Sequence, residues 1–387
     1  MEYSVVRFTV ISLFFAVATG RAEVKFEKVT SEVREKYLKN AEVWHATKIS
    51  EMNVLAGPQS EISVPPETEV ACKYVEPKEG SNPGKQPKFL CTTPSGDTLR
   101  VKYGKDTREI YGEVGGTRLL WALGFYADEV YPARVMCSGC PEKNPSAPEP
   151  GERRGDRLFQ YAVIERNFPG VMIEESENQG WQWSELEDLE RDAGGAPLSH
   201  LHALKLLAAF MQHSDSKADN QRLACYNEDL EDPDGDGIFS CARPVLMIDD
   251  LGSTFGAGVG VLHLSKFDFE GWADQEIWNI PKEAKNREKN EPVCIAKLTS
   301  NKAAQGQGLD DPIISEQGRR FLADLLNRLT VDQIRDLFRV AGVHRIGDQM
   351  EDGDTTRAVT VDDWVAAFVK KRTEINDHEC ALFASEQ

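Results

Sequence analysis

"HSDSKADNQRL", residues 213–223, sets a histidine, an aspartate, a lysine and an asparagine at fixed intervals directly after a long apolar run. The run, PLSHLHALKLLAAFMQ (197–212), has the spacing of an amphipathic helix and opens with Pro197, which suits a first helical turn because no N–H partner is needed there. The polar cluster therefore falls where a helix ends and a loop begins. Capping and dipole effects alone favour Asn and Lys at such a place, so the cluster gains meaning only from its surroundings. Thirty residues after Asn220, an apolar strand VLMI (245–248) ends in DDLG and sets Asp250 two positions before Gly252. Asn220 and Asp250 are hard oxygen donors of the kind that suit Mg²⁺ or Mn²⁺.

Working outward toward the N-terminus, EVACKYVEP (69–77), KFLCTT (88–93) and TLRVKYG (98–104) read as three antiparallel strands. The loose loop KEGSNPGKQP and the tight turn PSGD join them. REIYGEVGGTRLLWALGF (108–125) follows as a helix whose Glu113, Thr117, Leu120, Trp121 and Gly124 share a face. Two further strands are expected at YPARVMC (131–137) and RLFQYAVIERN (157–167), separated by an exposed Pro-rich loop. Toward the C-terminus, WSELEDL starts a short helix, and helices are expected near 314–328, 330–342 and 360–376, the second with a Thr330/Gln333 capping box. The order is a small strand-rich lobe with one helix, then a larger, mainly helical lobe.

The whole chain narrows the classes of function. A length of 387 residues with 40% hydrophobic content supports a substantial core. With Asp+Glu 64 against Lys+Arg 45 the net charge is −19, and no basic run or stripe offers counterion release from nucleic acid. Residues 1–22 have the pattern of a secretory signal peptide: Arg7, the apolar stretch FTVISLFFAVA, then Gly20 and Ala22. That stretch is too short for a membrane span. The protein is thus expected to be secreted or periplasmic, or in the secretory-pathway lumen if eukaryotic. Eight cysteines fit an oxidising compartment. Cys137 and Cys140 in CSGC fit a local disulfide, half a zinc knuckle or a redox pair. Residues 23–68 read as an N-terminal helical extension, 69–166 as the strand-rich lobe and 167–387 as the helical lobe.

His-X-Asp-X-Lys-X-X-Asn after a helix, an Asp-X-Gly at a strand end, Lys102 on a third strand and Glu113 on the next helix occur in the order found in protein kinases. The chain resembles the protein-kinase-like superfamily over about 69–260. Through DLGSTFG (250–256) it looks closest to the atypical secreted branch of Golgi casein-kinase-type and spore-coat kinases. The resemblance implies a two-lobed α+β fold and an exported, ATP-dependent phosphotransferase using Mg²⁺ or Mn²⁺, with a protein or small molecule as acceptor. Asp215 and Lys217 would be catalytic, Asn220 and Asp250 would hold metal, and Lys102, Glu113, Glu165, Gly80 and Gly84 would bind the nucleotide. Glu109 competes with Glu113 for Lys102, and Asp249 with Asp250 for the metal. His213 is expected to support the catalytic loop. No G-x-G-x-x-G is present, Ser214 stands where many kinases have arginine, and no Ala-Pro-Glu follows. The same fold could transfer AMP, or serve without catalysis as a pseudokinase or calcium-dependent binding module.

DPDGDGIFSCAR (232–243) places Asp232, Asp234, Asp236 and Gly237 like the first half of a calcium loop, but Arg243 occupies the twelfth position, where a bidentate glutamate is needed. The competing reading is a tight acidic hairpin closed by Cys225 and Cys241.

Overall fold

Helix α1 (Ser31–Asn40) begins where Thr30 caps the backbone N–H of Val33 at 3.3 Å. The computed structural model describes residues 24–59, 63–66, 68–77, 86–104, 108–149, 151–166, 168–174, 180–187, 195–256, 266–279, 292–299, 305–352 and 355–381. The expected signal peptide and the two loop glycines, Gly80 and Gly84, lie outside these residues. The expected helical extension contracts to α1 and a single 3-10 turn at Ile49–Glu51. Beyond Asn40 the chain is a strap: Glu42 N–H donates to Pro244, Leu246 N–H donates back to Glu42, and His45 N–H donates to Gly124. Pairing with distant backbone outweighs a weak local helical preference, and Tyr37, Leu38, Ala41 and Val43 join the main core.

The strand-rich part contains β1 (Glu69–Val75), β2 (Lys88–Thr92), β3 (Thr98–Tyr103), helix α2 (Glu109–Leu123), β4 (Val130–Pro141) and β5 (Arg154–Glu165). The sheet is not an open antiparallel one. In the order β1-β2-β3-β5-β4 it closes into a barrel through a parallel seam between β1 and β4, with Cys72 opposite Cys137. The reason lies in β4 and β5, each 12 residues long, with register shifts between Ala133 and Val135 and between Cys137 and Cys140. Bulges bend and twist a strand, and closure removes the exposed edges that such a sheet would present. The pairing runs on to Pro141 and Arg154, so the expected Pro-rich loop is shorter than its composition suggests. Phe89, Cys91, Leu99, Val101, Tyr131, Val135, Phe159 and Ile164 fill the barrel.

The remaining chain runs through β6 (Gly170–Met172), α3 (Trp183–Glu187), α4 (Leu198–Met211), β7 (Gln221–Tyr226), β8 (Leu230–Glu231), β9 (Ser240–Cys241), β10 (Val245–Ile248), α5 (Phe269–Ala273), β11 (Val293–Ile295) and β12 (Ile313–Ser315). It ends with α6 (Glu316–Asn327), α7 (Val331–Ala341), the hairpin β13 (Gln349–Asp352) and β14 (Thr355–Ala358), and α8 (Val361–Asp377). Helix α7 carries the Thr330/Gln333 capping box, and α8 carries a second one from Thr360 and Asp363. Trp272, Trp364, Phe210, Phe255, Phe267 and Phe338 pack between α4, α5, α7 and α8. The architecture is mixed α+β. Disulfides join Cys72–Cys91, Cys137–Cys140, Cys225–Cys241 and Cys294–Cys380. No helix among the described residues is long and apolar enough to cross a membrane.

Candidate active site

The alternation of β3 creates the first half of the site. Leu99 and Val101 point into the barrel, so Arg100 and Lys102 occupy the opposite face. Arg100 is registered against Glu165 of β5 and Lys102 against Lys88 of β2. The Lys102 ammonium forms ion pairs with Glu113 of α2 and, at 2.7 Å, with Glu165, while Arg100 also pairs with Glu165. Lys102, Glu113 and Glu165 are all buried. Glu109, one turn before Glu113, pairs instead with Lys266. Burial works against the Lys102 charge, but Glu113, Glu165 and Asp250 together hold its pKa well above the ordinary amine range. Glu113 bears the cost: burial pushes its carboxyl up to about 8 against the pull of Lys102.

The second half is set by a strand pair. Helix α4 stops because Gln212 turns into the left-handed region (φ 54) and donates to Ala208 and Ala209. The following loop contains His213, which is fully buried. Neither of its ring nitrogens finds a hydrogen-bond partner among the described residues. Burial lowers its pKa to about 4, so it is neutral at ordinary pH. β7 and β10 then pair with Gln221 opposite Ile248. That register brings Asn220, just before β7, against Asp249 and Asp250, just after β10. Asn220 O accepts from the backbone of Asp249 at 2.8 Å and of Asp250 at 3.3 Å, and its Nδ2 donates to Asp215 O at 2.6 Å. The Asp215 carboxylate pairs with Lys217 at 3.1 Å.

The two neighbouring aspartates differ in their surroundings. Asp249 pairs with Arg222 at 2.9 Å. It also meets Asp128, whose carboxyl is raised well above its ordinary range by burial and by the charge and hydrogen bond of Asp249. Asp250 accepts the Gly252 N–H at 2.9 Å. Burial would raise its pKa, but Lys102, the Gly252 N–H and Lys217 hold it below the usual carboxylate range. The structure therefore brings Lys102, Glu113, Glu165, Asn220 and Asp250 to one junction between barrel and helices, with Asp215 and Lys217 half-exposed beside it.

Helix α2 and the Asp250 loop approach closely at Gly112. Thr254 Oγ1 donates to Gly112 O at 3.0 Å, and a Cβ at Gly112 would sit 2.7 Å from Gly252 O. Gly112→Ala is expected to separate the loop from α2 at a cost of about 1–3 kcal/mol, because a backbone oxygen cannot move aside as a side chain can. Urea unfolding of the variant measures this; an unchanged midpoint would show that the contact is not close-packed.

The other sequence expectations fall elsewhere. Asp232 accepts the backbone N–H groups of Asp236 at 3.1 Å and Gly237 at 3.0 Å, and Arg243 pairs with Asp229 at 2.7 Å. Asp234 and Asp236 are exposed. Among the described residues, the one group of three His, Cys, Asp or Glu whose ligand atoms lie within 4.8 Å is Cys294, Glu316 and Cys380, and its two cysteines are joined as a disulfide. The carboxylates of Asp232, Asp234 and Asp236 thus do not converge. Sequence reasoning missed Arg100, Asp128 and Arg222; only the alternation of β3 offered a signal, and only for Arg100.

No family model matches the chain, and no curated protein matches it in sequence. Among solved structures, the crystal structure of a Helicobacter pylori proinflammatory kinase, CtkA, is similar to it with a TM-score of 0.39 and 10% identity, over 80% of this chain and 94% of that one.

Proposed function

We propose that the protein is a protein-kinase-like phosphotransferase that moves the γ-phosphoryl group of ATP to a hydroxyl acceptor. One observation carries this reading: a buried Lys102–Glu113–Glu165 cluster meets Asn220 and Asp250 at the junction of barrel and helices, with a half-exposed Asp215 beside them. Phosphoryl transfer asks little covalent chemistry of a protein; it asks for alignment and for neutralisation of phosphate charge.

Each residue then has a task fixed by its surroundings. Glu113 and Glu165 hold the Lys102 ammonium charged and in place toward the phosphates. Asn220, whose Nδ2 is committed to Asp215 O, has its Oδ1 left as a ligand. With Asp250 it makes a hard-oxygen set fit for Mg²⁺ or Mn²⁺, which supplies charge neutralisation of the phosphate oxygens when bound. Asp215 orients the acceptor hydroxyl and takes its proton, and Lys217 steadies the charge of the group in transfer. His213, buried and neutral, supports the loop from within and is too deep to exchange protons with a substrate. Four disulfides favour an oxidising compartment, in keeping with export by the N-terminal signal read from residues 1–22.

The test is incubation of the purified protein with γ-labelled and, separately, α-labelled ATP plus Mg²⁺ or Mn²⁺, beside an Asp250→Ala control. Label from γ alone, lost in the variant, is the expected result. Label from α would make the reaction AMP transfer. No label from either, with no nucleotide-induced rise in melting temperature, would turn the reading to a noncatalytic binding module.

A further inference from the structure

Lys88 stands opposite Lys102 in the β2–β3 register. Directly opposed residues of an antiparallel pair project from the same face, and the alternation agrees: Phe89 and Cys91 point into the barrel, so Lys88 is on the outer face with Arg100 and Lys102. Its backbone is fixed by an N–H donated to Ser146 Oγ at 2.7 Å. The side chain is half-buried. Around it lie the charges of Lys102, Asp250, Glu165 and Arg100.

The three cations of this face are not equivalent. Lys102 has two carboxylates and Arg100 has one. Lys88 makes no ion pair among the described residues, although burial and the neighbouring Lys102 both push its pKa down from the ordinary amine value. A partly desolvated ammonium is costly unless an anion accompanies it. Glu165 is already shared between Lys102 and Arg100, so an anion from outside is the partner this geometry suits.

We propose that Lys88 is the receptor for the phosphate chain of the nucleoside triphosphate, while Lys102, held by Glu113 and Glu165, fixes the position of that chain relative to Asp250. The inference rests on the nucleotide reading above. It also supplies a role that a glycine-rich loop would otherwise fill: charge delivered from a strand replaces backbone N–H groups delivered from a turn.

The experiment is calorimetric titration of the intact protein and its Lys88→Met, Lys88→Gln and Lys88→Arg variants with ATP, adenosine and inorganic tripolyphosphate, each with Mg²⁺. Lys88→Met and Lys88→Gln should weaken ATP and tripolyphosphate about tenfold or more, as loss of one charge-assisted contact requires, and leave adenosine unchanged. Lys88→Arg should keep most of the affinity, a rescue that a merely structural lysine would not show selectively for the phosphate ligands. ATP binding equal to the parent in both neutral variants overturns the role of Lys88 and leaves the kinase-like reading standing. Tripolyphosphate binding that is lost in Lys88→Met, without any preference of the parent for ATP, keeps the anion receptor and removes the nucleotide. A parent that binds none of the three ligands overturns both.

Discussion

Replacing Asp215 with alanine is expected to lower phosphoryl transfer by about 10²- to 10⁴-fold, the usual worth of a positioned proton acceptor, with little change in melting temperature. The two halves of this expectation have separate grounds. The carboxylate is half-exposed and pairs with a half-exposed Lys217, and pairs of that kind contribute at most about 1 kcal/mol to stability. The bond that anchors Asn220 is accepted by the Asp215 backbone oxygen, which alanine retains, so the placement of Asn220 beside Asp250 survives. Lys217 loses its partner but can be hydrated. Single-turnover transfer with saturating nucleotide isolates the chemical step, and parental turnover in a folded Asp215→Ala variant would remove the proton-acceptor role. Asp215→Asn, of nearly the same shape but a poor base, should behave as alanine does. If it kept the parental rate, positioning rather than proton transfer would be the function of this side chain.

What the sequence discloses about such a site depends on how local the information is. Lys102 and Glu113 are 11 residues apart, on a strand and the following helix, and their pairing can be anticipated from two periodicities meeting at a short loop. Choosing Glu113 over Glu109 uses only the apolar face of α2. Strand β7 was not foreseen: QRLACY is six residues long, begins with Gln221 and Arg222, and lacks a clean alternation. Yet β7 is what places Asn220 against Asp250, so the motif spacing was legible and the device that realises it was not. The barrel seam between β1 and β4 joins residues more than sixty positions apart, and nothing local in either strand announces a parallel partner. The N-terminal strap shows the reverse failure. Its alternating charged and apolar residues fit a helix as well as an extended chain, and the choice falls to backbone partners at Pro244 and Gly124.

The largest stability effect is expected at the buried cluster, and it should be asymmetric. Glu113→Ala leaves the Lys102 ammonium buried with Glu165, which Arg100 already shares. A buried charge deprived of a partner costs about 3–5 kcal/mol; above about pH 8, where Glu113 is ionised, the expected loss approaches the lower end of that range because Glu165 is retained. Lys102→Met should cost less at neutral pH, because Glu113 has an escape that Lys102 lacks. Its carboxyl already sits at about 8 against an ordinary 4.5, and removing the neighbouring cation raises it further, so it becomes a neutral acid.

The sign follows from proton linkage. A group whose folded pKa lies above its unfolded value favours the fold fully below the unfolded pKa, and that contribution is lost as pH rises through the folded one. Parent and variant share this loss up to about pH 8, where the parent's Glu113 ionises; the Lys102→Met variant, whose Glu113 still holds its proton, should therefore fall behind the parent progressively from about pH 8 to pH 10, as measured by urea unfolding at each pH. A constant difference across that window would show that Glu113 does not take up the proton. The double variant Lys102→Met/Glu113→Leu removes both buried charges and should recover most of the stability while remaining inactive, since an apolar pair often replaces a buried ion pair without loss. Recovered stability without activity would mean that the cluster is maintained against its own desolvation cost by what it binds, and a double variant as unstable as Glu113→Ala would instead make the cluster part of the folding core.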